Sequence, residues 1–256
     1  MTSHVESQVA PGEQWPLPPI VDRETWQVAV DELRAREKAH TREGDAIAAA
    51  RRRLPMVEVD ATTTVTGPNG PTTLLDVFEG RRQLSVYFHM WHDGMGSEDQ
   101  CEGCTFFNGQ VRELSYLHSR DVTYATFCQG PYDESVRYRD FMGWDVPWYS
   151  ARDSADQLLA GRWFGLNVNY LRDGDRVFET YWTSWRGAEK VAPTYVFLDM
   201  TPYGRQEEFE DSPPGWPQRF KNDGGQFRTN GRPTSQWSRL AEGHSDDLTS
   251  ATANDS

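Results

Sequence analysis

The sequence predicts an α/β domain, a central mixed sheet with helices on both faces, carrying an N-terminal helical extension. Three observations predict it. Two β-rich apolar runs, Gln83-Leu84-Ser85-Val86-Tyr87-Phe88-His89 and Val122-Thr123-Tyr124-Ala125-Thr126-Phe127, are separated by one amphipathic stretch. That spacing implies parallel strands joined by a right-handed crossover. Further on, Leu166 to Leu171 and Arg176 to Tyr181 flank Arg172-Asp173-Gly174-Asp175, a strong hairpin signal. At the junction of the first strand and its helix stands Cys101-Glu102-Gly103-Cys104, a Cys-x-x-Cys pair.

The elements follow in order. Residues 1–20 are polar and proline-containing and read as a disordered N-terminus. Asp22 is an N-cap for a helix within 21–55, with Trp26, Val30 and Leu33 on one face, Glu32 and Arg36 paired, and Pro55 as its stop. Such a helix packs across its own domain or against a second copy of the chain. The main domain is expected over 56–212. Met56 to Val59 reads as a short strand, Gly67 to Pro71 as a turn and Thr73 to Phe78 as a short element. After the strand at 83–89 and the loop from Met90 to Gln100, a helix is expected from about 104 to 118. It would bury Phe107, Val111, Leu114 and Leu117 on one face. The strand at 122–127, a helix from Asp133 to Phe141, the hairpin and a further strand at Tyr195-Val196-Phe197-Leu198 complete the domain. The order β-α-β-α-β-β is that of a thioredoxin-like core. Residues 213–240 read as a loop-rich segment and 241–256 as a disordered tail.

Composition narrows the function. The 256 residues carry 39 acidic against 26 basic side chains, a net charge of -13 that argues against non-specific nucleic-acid binding. The one basic run, Arg51-Arg52-Arg53, ends a helix, where it complements the dipole. No apolar stretch approaches the ~20 residues needed to span a bilayer, and no signal segment opens the chain. Three cysteines do not make a secreted disulfide framework. A cytoplasmic, reducing setting is expected, and there a Cys-x-x-Cys pair reads as redox or metal chemistry.

At a helix N-terminus the free N–H groups stabilise a thiolate. Cys101, on the loop side, fits the attacking role, and Cys104, in the first turn, the resolving role. Glu102 between them opposes thiolate formation, whereas His89 or His92 favours it if charged and close, so a modestly lowered Cys101 pKa is expected. The alternative is a metal site, since His89, His92, Cys101 and Cys104 form a tetrahedral zinc set by residue type. Cys128 ends the second strand, where it is an auxiliary thiol or a small buried hydrophobe. Among ten tryptophans, Trp91, Trp144, Trp148, Trp182 and Trp185 fall in loops, where they rim a pocket or plug the core. Arg186 is an anion ligand or the partner of an acid. No convincing Gly-rich nucleotide loop appears, and no cofactor is expected.

The blocks Phe78 to Leu84, Phe88 to Trp91, Cys101 to Cys104, Met142-Gly143-Trp144, Pro147-Trp148, Leu171 to Phe178 and Asp199 to Arg205 together carry a resemblance. Over about 22 to 212 the chain resembles the thioredoxin-like predicted dithiol–disulfide oxidoreductase family (domain of unknown function 899). The resemblance implies a thioredoxin-like fold and a redox pair at Cys101 and Cys104, acting on a thiol or disulfide of a protein or small molecule. Thioredoxins place a cis-proline just before the first hairpin strand, and Gly165-Leu166-Asn167-Val168 holds no proline. Ala192-Pro193-Thr194 is similar to that motif but follows the hairpin. Peroxiredoxins carry a threonine three residues before the reactive cysteine. Here Glu98 stands at that spacing, which disfavours a peroxidase of that type. A third reading keeps the fold with an idle dithiol, as a non-catalytic interaction protein.

Overall fold

Alternation along two neighbouring strands organises the whole molecule. The computed structural model describes residues 14–229 and 232–236. Strands β4 (Gln83–His89) and β5 (Val122–Cys128) pair in parallel from Gln83–Val122 to His89–Cys128. Side chains two apart share a face. Leu84, Val86 and Phe88 with Ala125 and Phe127 therefore enter one core layer. Tyr87 with Tyr124 and Cys128 enters the other. The first layer is closed by two short helices, α2 (Leu74–Val77) and α6 (Ala155–Leu159), through Leu74, Val77, Leu158 and Leu159. The second is closed by α3 (Glu102–Gly109), α4 (Ser115–His118) and α5 (Tyr132–Met142).

The remaining strands are β1 (Val57–Val59), β2 (Thr64–Gly67), β3 (Gly70–Thr73), β6 (Trp148–Ser150), β7 (Leu166–Asp173) and β8 (Arg176–Ser184). The sheet order is β1-β8-β7-β4-β5-β6-β2-β3. β6 lies parallel to β5, while β7 runs antiparallel to both β4 and β8. A parallel β-α-β unit followed by an antiparallel hairpin, with helices on both faces, makes the fold thioredoxin-like. The hairpin turns at Gly174, whose φ of 60° is easily adopted without a side chain. Helix α5 ends in the same way, on Gly143 at φ 64°.

Two elements differ from expectation. The helix expected over 104–118 divides into α3 and α4, because buried Asn108 turns inward to accept the Thr126 hydroxyl at 2.6 Å and Gly109 ends the run. Phe107, Val111, Leu114 and Leu117 still pack against the second layer. The stretch 195–198 is helical, not a strand. It belongs to α7 (Pro193–Asp199), where Pro193 pre-sets the first turn. Tyr195 is buried while Val196 and Phe197 face outward, so apolar content without a period-2 pattern misdirected the expectation.

Helix α1 (Arg23–Arg51) is capped as expected, with Asp22 Oδ1 accepting the Thr25 N–H at 2.8 Å. It stops at Arg51, before Pro55, and pairs Arg34 with Asp31. None of its 29 residues is buried, and Trp26 and Leu33 are exposed. Contacts fasten its two ends. Arg51 lies over the Tyr181 ring at 4.9 Å. On the other side, Trp15 meets Tyr203 edge-on at 4.8 Å, and the Tyr203 hydroxyl donates to the Pro16 carbonyl at 2.8 Å. Residues 14–20 are thus fixed without helix or strand. Residues 1–13 and the tail expected over 241–256 lie outside the described residues.

Candidate dithiol site

The chain leaves β4 at His89 and, after a loop, enters α3, and Met90 at the end of that inner strand meets Cys104. Cys101 is the N-cap of α3, with φ -56° and ψ 108°, and its sulfur accepts the Cys104 N–H at 3.5 Å. Cys104, one turn on, is buried, and its sulfur accepts the Met90 N–H at 3.3 Å. The Tyr87 hydroxyl interacts with the same sulfur. The loop before Cys101 is clamped by buried Gln100, which accepts the His92 N–H at 2.9 Å and donates to the carbonyls of His92 and Met95 at 3.0 and 3.1 Å.

This arrangement separates the two thiols chemically. The Cys101 pKa is lowered to about 7, first by the hydrogen bond from the Cys104 side chain, then by the Cys104 N–H and by His92. Burial and the Glu102 charge oppose the shift. The Cys104 thiol is pushed well up, because the Cys101 sulfur beside it and its own burial both disfavour a second thiolate. The arrangement favours ionisation of the Cys101 sulfur and keeps the proton on the buried Cys104 sulfur. Cys101 and Cys104 are unbonded, as is Cys128.

The histidines part company. His89 is fully buried, with ring centroids of Trp148, Tyr138 and Trp144 at 5.3, 6.1 and 6.1 Å. The backbone at Met90 influences the ring, yet neither ring nitrogen reaches hydrogen-bond geometry with any described residue, and burial drops its pKa to about 3. His92 stands in the loop with Nδ1 2.7 Å from the Asp99 carbonyl. Among the described residues no three His, Cys, Asp or Glu side chains gather as a metal-ligand group. Cys128 is buried, its sulfur accepts the Gly130 N–H at 3.4 Å, and burial pushes the thiol up to about 12. Trp91 is buried against Tyr138, with ring centroids 5.8 Å apart, and Trp144 and Trp148 lie in the same layer. Trp182 and Trp185 are exposed, the latter by 88%. Arg186 pairs with Glu189 at 3.4 Å and covers the Phe209 ring at 4.2 Å.

Sequence reasoning did not anticipate the C-terminal contribution. Phe227 packs on Phe106 with ring centroids at 5.1 Å, close to Gly103, where a Cβ would stand 3.5 Å from its ring. Arg228 Nε donates to Glu102 Oε1 at 2.5 Å, and its Nη2 donates to the Glu98 carbonyl at 3.3 Å. Buried Gln236 donates to the Ser97 carbonyl and, at 3.0 Å, to the Tyr138 hydroxyl. That hydroxyl lies 2.6 Å from Thr105 Oγ1 on α3. The weakly patterned residues after Gly224 hold no local signal of this; only the folded chain brings them to α3.

The fold and the paired thiols together describe a thioredoxin-like protein with a Cys-x-x-Cys at a helix start. The chain belongs to the family of bacterial proteins of unknown function called DUF899, whose model matches residues 15–241. No curated protein matches it in sequence. Among solved structures it is similar to peroxiredoxin Q of Xanthomonas campestris, at 13% identity and a TM-score of 0.40, over 55% of this chain and 93% of that one. It is similar also to peroxidoxin BcpB of Mycobacterium tuberculosis, at 15% identity and 0.38, over 55% and 94%. A third is a secreted M. tuberculosis disulfide oxidoreductase homologous to E. coli DsbE, at 12% identity and 0.35, over 54% and 97%. Among the described residues, no helix is long and apolar enough to cross a membrane.

Proposed function

We propose that the protein is a thiol–disulfide oxidoreductase of the reducing cytoplasm in which Cys101 attacks and Cys104 resolves. The observation that carries this reading is the split between the two sulfurs, one lowered to about 7 at the α3 N-cap and the other buried and pushed up. At neutral pH about half of Cys101 is then thiolate, against about one part in a hundred for a thiol at its ordinary value. The Cys101 thiolate attacks a substrate disulfide, forms a mixed disulfide and expels one substrate thiolate. Cys104 then loses its proton and attacks the Cys101 sulfur. The second substrate thiol leaves, and the two electrons of the dithiol have reduced the substrate. An external thiol reductant returns the Cys101–Cys104 disulfide to the dithiol.

Cys104→Ser tests this directly, because it deletes the resolving step. Offered a small or protein disulfide, this variant should accumulate a mixed disulfide through Cys101, Cys101→Ser should trap nothing, and Cys128→Ser should behave as the parent. Rapid labelling of Cys104 with Cys101 silent would reverse the roles. Slow, equal labelling of both would identify an idle dithiol.

A further inference from the structure

A carboxylate next to an attacking thiol is a liability, since its charge holds the proton on the sulfur. Glu102 immediately follows Cys101, and its charge works against the Cys101 thiolate. The structure gives that carboxylate a partner from the far end of the chain. Arg228 Nε donates to Glu102 Oε1 at 2.5 Å across 126 residues of sequence. The two side chains are only 34% and 22% exposed, so solvent screens the pair less than a surface ion pair. Two more contacts fix the arginine's segment. Its Nη2 donates to the Glu98 carbonyl in the loop that delivers Cys101, and neighbouring Phe227 packs on Phe106 beside Gly103.

We infer that Arg228 is a positioning residue of the dithiol site, holding the Glu102 carboxylate in an ion pair so that its charge does not suppress the Cys101 thiolate. The C-terminal segment is therefore part of the redox centre and not an appendage to the domain. This rests on Cys101 being the reactive thiol, but it concerns ionisation and can be read without any turnover.

The test follows the rate of iodoacetamide alkylation at Cys101 against pH, by peptide mass spectrometry, in the full-length reduced chain with Cys128→Ser as background. Arg228→Gln should move the midpoint upward by roughly half to one pH unit, slowing the reaction at neutral pH about two- to five-fold. Arg228→Lys should keep most of the parent profile, and Glu102→Gln should move the midpoint down. In the Glu102→Gln background, adding Arg228→Gln should have a smaller effect, because the arginine then acts only through its own charge and has no carboxylate to hold in place. An unmoved profile in Arg228→Gln overturns the inference, as does an equal shift in both backgrounds. If Arg228→Gln fails to fold, Glu102→Gln decides, since a midpoint that does not fall removes the liability on which the inference stands. A normal Arg228 dependence in a protein that traps no disulfide on Cys104→Ser would retain this inference and reject the exchange reaction.

Discussion

The Met90 N–H donates to Cys104 Sγ at 3.3 Å, so the peptide that ends the central strand holds the buried sulfur in place. The same sulfur meets Tyr87 from within that strand. Cys104 is thus fixed to the rigid sheet, whereas Cys101 is the N-cap of α3. The two cysteines, three residues apart, stand in different surroundings, one anchored to the sheet and one at the helix start.

Cys104 is the largest cause of the lowered Cys101 pKa, and its removal should be visible in the thiolate absorbance. The parent should titrate near 7, with the thiolate fraction rising as pH rises through that value. Cys104→Ala loses the donor and should titrate higher by about one unit, while Cys104→Ser keeps a hydroxyl donor and should fall between them. Equal midpoints for alanine and parent would assign the shift to the backbone N–H at the helix start and to His92.

His89 should dominate one part of the acid response. Its folded pKa of about 3 lies below its ordinary 6.5, so the unfolded chain binds the extra proton first. Its effect on stability is nil above about pH 6.5 and becomes a growing penalty as pH falls towards 3. The full difference is on the order of several kcal/mol. His89→Phe should flatten the loss of stability across that window in urea titrations, with a change within about 1.5 kcal/mol at pH 8. A variant as acid-sensitive as the parent would place the response elsewhere.

Gly130 has no room for a side chain. A Cβ there would stand 2.4 Å from the Trp91 ring, which is itself held against Tyr138. Gly130→Ala should cost about 1–3 kcal/mol, seen as a lower thermal midpoint. It should also weaken near-ultraviolet circular dichroism as Trp91 shifts. An unchanged midpoint would mean that the ring moves freely.

The divergence of His89 from His92 bears on metal. With one ring enclosed in the aromatic layer and the other bonded to the Asp99 carbonyl, the protein should purify with well below one equivalent of zinc. Elemental analysis after dialysis checks this. Stoichiometric metal lost in His89→Ala and His92→Ala would restore the two-cysteine, two-histidine site.

Much of this was legible in the sequence. The β-rich apolar run at 83–89, the Arg172-Asp173-Gly174-Asp175 turn and the Asp22 cap are local signals, and they led to the right elements. The helical form of 195–198 was not, because the apolar run Val196, Phe197, Leu198 fits either element and only Pro193 argued for a helix. Glu102 was recognised as a neighbour of the thiols, but its partner Arg228 was not, since no local pattern encodes a contact across 126 residues. The cysteine pair was visible because strand, spacing and helix start all fall within one short stretch.

Helix α1 is fastened near its ends, through Trp15 on Tyr203 and Arg51 on Tyr181, and buries nothing between them. It runs roughly 43 Å, so its central turns are held by their own hydrogen bonds and by little else. Helix–coil opening there is uncoupled from unfolding of the sheet. Amide hydrogens between about 30 and 46 should therefore exchange with solvent by local fraying, long before those of β4 and β5. Their exchange rates measure the intrinsic helix–coil equilibrium of this one segment inside an otherwise folded protein.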